Sequence, residues 1–304
     1  MRHVDLEQLR RVAKRALFDE LAAAMDALGL MSTDQERRDY IEKNGSKCSA
    51  FLHPLWMIGF GKCWYSEAKL PADAGEVEHF RPKRKVWKST PPHGGYWWKA
   101  FDWRNFRLAH PLVNKRRKDY STEQQAGKGC YFPLRHEERR AMNAPGEARE
   151  EPVLLDPIVP QDCRLLCFDG NSGKPIPRYK REDDPDGWRH RRASDSINFY
   201  HLDDGTWNSQ REDLMRDVSI LCDRVLEAAA KKDVTEYEKL LDEVAYFMHP
   251  FAEFSSAAAQ VIREKGLLDH LSPLPDQTDA RSRGSAASKP ATPAVGAVDG
   301  GSQD

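Results

Sequence analysis

The sequence has almost no net charge. Its 47 basic and 48 acidic side chains leave a formal charge of -1 over 304 residues. A molecule with this balance has no overall field that attracts nucleic acid, so any basic surface must be local. The length and the 39% of hydrophobic residues are sufficient for one large domain or two small ones, each with a real core.

Long apolar runs and paired cysteines are also missing. The apolar stretches are broken by charges and are too short to span a bilayer, and the N-terminus has no apolar core of the kind found in secretory signals. We therefore expect a cytoplasmic protein that does not contact a membrane. The six cysteines form no Cys-x-x-Cys pair, which favours reduced thiols.

Helical patterns lie near both ends of the chain. Apolar residues at three- and four-residue steps predict one helix over residues 5–29. Capping-box patterns at 33–36, 209–212 and 235–238 predict the starts of three further helices. Pro250 is expected to break the last of them, because proline cannot continue a helical hydrogen-bond ladder.

Between these helices the pattern changes to short segments. Aromatic residues punctuated by Pro and Gly fill residues 51–134, and brief apolar runs within 150–207 predict short strands and turns. The sequence thus predicts an N-terminal helical segment (1–47), a core (48–140), a strand and turn extension (141–208), a C-terminal helical region (209–271) and a disordered tail (272–304). The tail is predicted from its lack of large apolar residues.

Positive charge is concentrated inside the predicted core. Residues 81–118 hold twelve basic side chains against one acid, Asp102, and are interleaved with tryptophan, tyrosine and phenylalanine. Such a mixture suits phosphate neutralisation, although aromatic residues at this density more often pack than stack on bases. The basic residues expected to contact nucleic acid are Arg81, Lys83, Arg84, Lys115, Arg116, Arg117 and Lys118.

Three polar elements lie in or beside this basic block: the Glu78-His79 pair, Asn105, and Asn114 nine residues later. They resemble the signature of the HNH endonuclease family, which has an acid-His pair on a strand, a central Asn, and a His or Asn on the following helix. The resemblance implies an α+β fold in which a ββα-metal nuclease core is flanked by N- and C-terminal helices.

The chemistry of phosphodiester hydrolysis explains these residue types. His79 is expected to take the proton of the attacking water, and Asn105 to hydrogen-bond across the loop and fix the His79 backbone. Glu78 and Asn114 offer oxygen ligands, which suit Mg²⁺ or Mn²⁺. Neighbouring residues on a strand point to opposite sides, so Glu78 and His79 need a twist or bulge to serve one phosphate.

Many members of this family also hold a structural zinc ion with two Cys-x-x-Cys pairs. The matching positions here read Cys63, Ser66, His110 and Val113. Two good ligands remain of four, so no structural zinc is expected, and Cys63 and His110 are interpreted as core residues.

A closer resemblance is carried by residues 62–67, 151–157, 168–170 and 197–202, which look like the HNH subunit of Septu-type anti-phage systems over roughly residues 60–225. It implies a bacterial defence nuclease that works with a dedicated ATPase, and in some relatives with a retron reverse transcriptase and its DNA. DNA is favoured over RNA as the substrate, although a tRNA nuclease would use the same chemistry. A nucleic-acid-binding or assembly subunit without cleavage activity is the alternative from another class.

Overall fold

Helices form both ends of the chain, and short strands lie between them. The computed structural model describes residues 1–118 and 125–271, with the backbone alone at 117, 118, 125 and 126. In this part of the chain the α-helices are α1 (Leu9–Val12), α2 (Arg15–Gly29), α3 (Asp34–Lys43), α4 (Gly45–Ser49), α5 (Leu52–Ile58), α6 (Pro111–Asn114), α7 (Pro160–Cys163), α8 (Trp188–Phe199), α9 (Gly205–Lys231), α10 (Val234–Met248) and α11 (Ser255–Glu264).

The strands of the same described residues form three two-stranded antiparallel sheets. These sheets are β1 (Glu76–His79) with β2 (Phe106–Ala109), β3 (Arg117–Lys118) with β4 (Gln125–Ala126), and β5 (Leu166–Phe168) with β6 (Pro175–Pro177). The chain is therefore an α+β protein, as expected. Residues 1–271 form one unit, and the predicted disordered tail (272–304) lies outside the described residues. No helix of the described residues is long and apolar enough to cross a membrane.

The predicted helix over residues 5–29 is interrupted. Ala13 and Lys14 adopt extended backbone angles, so α1 ends at Val12 and α2 begins at Arg15. Leu9 and Leu21, on either side of the break, are buried in the same apolar cluster. The interruption lets two short helices contribute to one core. The capping box of Thr33 and Glu36 is confirmed, with each side chain accepting the other's backbone N–H.

The C-terminal helices begin earlier than predicted. Asp204 caps α9 by accepting from the backbone of Thr206 and Trp207, and Asp233 caps α10 by accepting from Glu236. In both cases an aspartate precedes the predicted Ser or Thr, and its carboxylate meets the free N–H groups of the first turn sooner. The break at Pro250 is confirmed, since α10 ends at Met248 and α11 begins at Ser255.

The prediction of short strands over 150–207 is correct for Leu166–Phe168 but wrong for residues 197–200. That segment lies at the end of the twelve-residue helix α8. Ala193, Ile197 and Tyr200 are buried at three- and four-residue steps, which is a helical spacing.

The β1–β2 hairpin separates two apolar clusters. Phe106 and Leu108 of β2 pack with the N-terminal helices, whereas Ala109 packs with the cluster built around α9–α11. All four residues of β2 are buried, because side chains alternate between two covered faces. The hairpin that carries the acid-His pair is therefore held rigidly from both sides.

Candidate functional site

The register of the hairpin places Glu78 and His79 on opposite faces. Glu78 pairs with Arg107 and His79 with Phe106 in four consecutive antiparallel pairs, with no bulge between them. His79 shares the face of Phe106, whose ring lies edge-on to the imidazole at 5.0 Å between centroids. Glu78 shares the other face with Glu76 and Arg107. A bulge that would bring both side chains to one phosphate is not present in this strand.

His79 is held by one ring nitrogen. Nε2 lies 2.9 Å from the carbonyl oxygen of Ala100, which also accepts from the Cys48 thiol. A carbonyl can only accept, so Nε2 carries the hydrogen and Nδ1 of the neutral ring has a lone pair. Burial lowers the pKa of His79 well below its usual value, and the charges of Lys83 and Lys128 lower it further. The imidazole is therefore neutral at pH 7.

His93, in the loop between β1 and β2, provides a comparison with His79. Its Nε2 lies 3.0 Å from the carbonyl of Ala141, and its Nδ1 accepts from the backbone N–H of Gly95. Burial also lowers its pKa. Both ring nitrogens of His93 thus have partners, whereas Nδ1 of His79 has no hydrogen bond within the described residues. His79 retains a free basic nitrogen, and His93 does not.

Asn105 connects the two ends of the loop between β1 and β2. Its Oδ1 accepts from the backbone N–H of Arg81, and its Nδ2 donates to the carbonyls of Arg81 and Lys99. Its own carbonyl accepts from Phe80, the residue after His79. The expected cross-loop hydrogen bonds of Asn105 are therefore present, and they fix the backbone on both sides of the His79–Ala100 contact.

Glu78 is buried, and both of its carboxylate oxygens have bonding partners. Oε1 lies 2.5 Å from Nζ of Lys128, and Oε2 accepts from the hydroxyl of Tyr65 at 2.8 Å. Lys128 also donates to the backbone carbonyl of His79 at 3.0 Å. The side chains of Glu78 and Lys128 are 1% and 0% exposed. An ammonium group thus lies where the HNH resemblance implies a metal ion.

Asn114 contacts a different acid from the one expected. Its Nδ2 donates to Oε2 of Glu76, whose Oε1 lies 2.5 Å from Nζ of Lys115. The expected pairing of Glu78 with Asn114 around one cation is therefore corrected to two separate contacts, Glu78 with Lys128 and Glu76 with Asn114. Among residues 1–118 and 125–271, no three His, Cys, Asp or Glu side chains form a group that could hold a metal ion. In this arrangement the oxygen donors do not fit Mg²⁺ or Mn²⁺.

A second buried ion pair lies on the Glu78 face of the hairpin. Arg107 donates through Nε and Nη2 to the two carboxylate oxygens of Asp156, both at 2.6 Å. No sequence pattern assigns a role to either Asp156 or Lys128. Asp156 could have been noticed as a charge within the apolar Val-Leu-Leu-Asp-Pro run, whereas Lys128 follows a glycine in a polar segment that gives no such signal.

The expected nucleic-acid contacts fall into two groups. Arg81 is bound within the chain, because its Nε donates to Glu150 at 2.9 Å and its guanidinium lies over the Tyr96 and Phe132 rings. Its expected contact with nucleic acid stays a prediction. Lys83 is half-buried and forms neither a hydrogen bond nor an ion pair within the described residues. Burial lowers the pKa of Lys83. Lys83 therefore lies near His79 without an acidic partner among the described residues.

Arg84 and Lys88 are exposed, and Arg116 is half-buried. Arg84 is exposed and lies 3.8 Å from Glu42. The guanidinium of Arg116 lies 3.8 Å from the Trp87 ring centroid, and Nζ of Lys88 lies 4.3 Å from it. Two cations and one half-buried indole thus form a mixed surface suited to phosphate and base contacts. Arg117 and Lys118 are placed in β3 by their backbone, and their side chains lie outside the described residues.

Cys63 and His110, the remnants of the zinc pattern, lie close together. The Cys63 sulfur accepts from the backbone N–H of His110 at 3.3 Å. Nδ1 of His110 accepts from Leu112 and so caps α6, while its ring lies edge-on to Trp207. Cys63 is buried, as expected of a core residue, whereas His110 is only half-buried. The expected lack of zinc stays a prediction.

Comparison of the chain with protein-family models, with curated proteins and with solved structures gives no match.

Proposed function

We propose that this chain hydrolyses phosphodiester bonds in nucleic acid by HNH-type chemistry. His79 is the general base, and Asn105 is the residue that positions it. The observation that carries the proposal is the His79 ring, which is neutral, fixed through Nε2 to Ala100, and left with a free lone pair on Nδ1. Asn105 supports the proposal because it ties together the two loop ends that hold this contact.

The chemical step follows from that tautomer. Nδ1 of His79 takes a proton from a water molecule, and the water oxygen forms a bond to phosphorus as the bond to the 3′-oxygen breaks. Solvent supplies the proton that completes the departing 3′-hydroxyl. Lys83, which has no acidic partner within the described residues, offers a positive charge to the phosphate as negative charge develops on it. No step is assigned to a metal ion, because both oxygens of Glu78 are already bonded.

The biological setting of the proposal rests on the Septu resemblance alone. It includes a bacterial defence role, an ATPase partner and, in some systems, a retron reverse transcriptase. DNA is the favoured substrate. The exposed apolar side chains Ile220, Tyr246 and Phe251 in or near the C-terminal helices are available to such an ATPase.

A non-cleaving nucleic-acid-binding subunit is the second candidate. Two observations favour it: His79 is only 9% exposed, and Lys128 neutralises the acid of the acid-His pair. The surface formed by Lys88, Trp87 and Arg116 would serve binding without any chemistry.

Cleavage assays with matched histidine variants separate these candidates. Purified protein is incubated with plasmid, single-stranded DNA and total tRNA, with Mg²⁺, with Mn²⁺ and with a chelator. His79→Gln is expected to lower the cleavage rate by ~10²- to 10⁴-fold, because it removes the base. His93→Gln is the control, since it changes a buried histidine of the same loop whose nitrogens are both occupied.

The outcomes of the assay are distinct. The proposed function is supported if His79→Gln loses cleavage, His93→Gln retains it, and circular dichroism shows that both variants are folded. Equal rates for wild type and His79→Gln contradict it. Binding of all three substrates without cleavage by the wild type supports the second candidate.

A further inference from the structure

Lys128 is a fully buried lysine whose ammonium meets two oxygen acceptors. Nζ lies 2.5 Å from Oε1 of Glu78 and 3.0 Å from the backbone carbonyl of His79. A carboxylate and a backbone carbonyl are also typical donors to Mg²⁺ and Ca²⁺. The second carboxylate oxygen of Glu78 is taken by the hydroxyl of Tyr65. The ammonium group of Lys128 therefore binds the same two oxygen atoms that a small cation would use as ligands here.

The backbone fixes this lysine in place. Lys128 N–H donates to the carbonyl of Val113, and Gly129 N–H donates to the carbonyl of Asn114, at the end of α6. Gly127 has φ +93°, and a Cβ at this position would lie 1.9 Å from the carbonyl oxygen of Lys115. Only glycine permits so close an approach of two backbone segments. The segment that carries Lys128 is thus pressed against the helix that carries Asn114.

A divalent cation at Glu78 would have to share this carboxylate with the ammonium. Both groups are positive, both are removed from water, and repulsion between them is weakly screened in a buried site. Burying the lysine without a counter-charge is equally unfavourable, so Lys128 and Glu78 stabilise each other. One cation, either the lysine or a metal ion, can occupy the position.

We propose that Lys128 is a built-in cation that holds Glu78 in place of a divalent metal ion, which makes Glu78 a positioning residue for the β1–β2 hairpin. The inference rests on the proposed function, because it concerns the same hairpin. Through the His79 carbonyl, Lys128 also fixes the backbone of the proposed base. Its test measures metal binding and unfolding, so its outcome is independent of whether the protein cleaves nucleic acid.

The experiment follows Mn²⁺ binding by titration calorimetry and thermal unfolding of the full chain with and without Mn²⁺. Wild type is expected to show no Glu78-dependent binding and no change in Tm. Lys128→Met leaves the buried carboxylate without its counter-charge, so its Tm is lower in the absence of metal. Saturating Mn²⁺ is expected to bind one per chain and to raise that Tm by roughly 5 °C.

Two further variants make the result specific. Lys128→Met combined with Glu78→Gln removes both charges and is expected to unfold at a higher temperature than Lys128→Met alone, with no response to Mn²⁺. Lys115→Met is the matched control, since it removes a lysine at the same 2.5 Å distance from Glu76 but at a site where the lysine is 68% exposed. It is expected to change neither Tm nor metal binding.

The contrary results are equally clear. Wild-type chain that binds one Mn²⁺, and loses this binding when Glu78 is replaced by Gln, would overturn the proposal. A Lys128→Met variant that folds but gains no stability from Mn²⁺ also overturns it. If Lys128→Met does not fold, wild type and the double variant are compared, and Mn²⁺ binding by wild type alone overturns the proposal whereas its absence from both supports it.

Discussion

Replacement of Asp156 by Asn is expected to destabilise the protein by about 3 kcal/mol. Arg107 meets both carboxylate oxygens of Asp156 at 2.6 Å, and the two side chains are 3% and 9% exposed. Loss of one partner from a buried ion pair costs ~3–5 kcal/mol, because the remaining charge stays buried without compensation. We expect the lower end of that range, since Glu78 lies opposite Arg107 in the hairpin and retains part of the attraction.

Urea unfolding followed by circular dichroism measures this loss as a lower midpoint at an unchanged slope. Asp186→Asn is the matched control, because Asp186 meets Arg135 at 2.9 Å but is 54% exposed. Exposed pairs contribute ~0–1 kcal/mol. A loss at Asp156 no larger than that at Asp186 would refute the reasoning. Replacement of both members, Arg107→Met with Asp156→Leu, should recover much of the stability because no unpaired charge remains.

Three further predictions concern the site. Because the pKa of His79 is lowered, the acid limb of the cleavage rate should lie well below pH 6.5, and a limb at or above pH 6.5 would contradict the tautomer argument. Asn105→Ala leaves loop N–H and carbonyl groups unbonded, so urea unfolding should show a loss of ~1–3 kcal/mol, and an unchanged midpoint would remove its clamping role. Gly127→Ala should lower Tm more than Gly187→Ala. Both glycines have positive φ, but of the two only Gly127 has backbone atoms where an added Cβ would lie. Equal losses of Tm in the two variants would show that Lys128 is not held by this close approach.

The sequence predicted the local pieces of the site better than their assembly. The cross-loop role of Asn105 could be predicted because one side chain meets backbone groups of a single loop, and backbone bonding follows from residue type and spacing. The alternation of Glu78 and His79 across the strand also follows from the geometry of any strand. Both are consequences of short-range order.

The partners of Glu78 and Asn114 could not be predicted in this way. Glu78 meets Lys128, fifty residues later in the chain, and Asn114 meets Glu76, thirty-eight residues earlier. Which of two acids on the same strand face reaches the helix depends on the position of α6 along the hairpin, and no spacing rule fixes that position. The same limit explains Arg81, whose partner Glu150 is sixty-nine residues away.

The helix boundaries show how local signals compete. A capping box at residues 209–212 and an aspartate at 204 both satisfy free N–H groups, yet α9 begins at Gly205. The first turn of α9 buries Trp207 against His110. If the helix began at residue 209, Trp207 would lie outside it and the helix would not make this contact. Burial of one indole stabilises the folded protein by more than the difference in stability between two good helix caps, so the earlier start is favoured.

Lys128 affects how the acid-His pair is interpreted, because it occupies one of the Glu78 oxygens that a metal ion would need. A carboxylate next to a histidine is typical of a metal-dependent nuclease only while its oxygens are free, and here Tyr65 and Lys128 occupy both. The histidine does not depend on that metal for its own state, because burial and the Ala100 carbonyl already set its neutral form and its tautomer. The proposed general-base chemistry at His79 and metal binding at Glu78 are therefore separable in this chain, and the titration of Lys128→Met with Mn²⁺ tests the second without relying on the first.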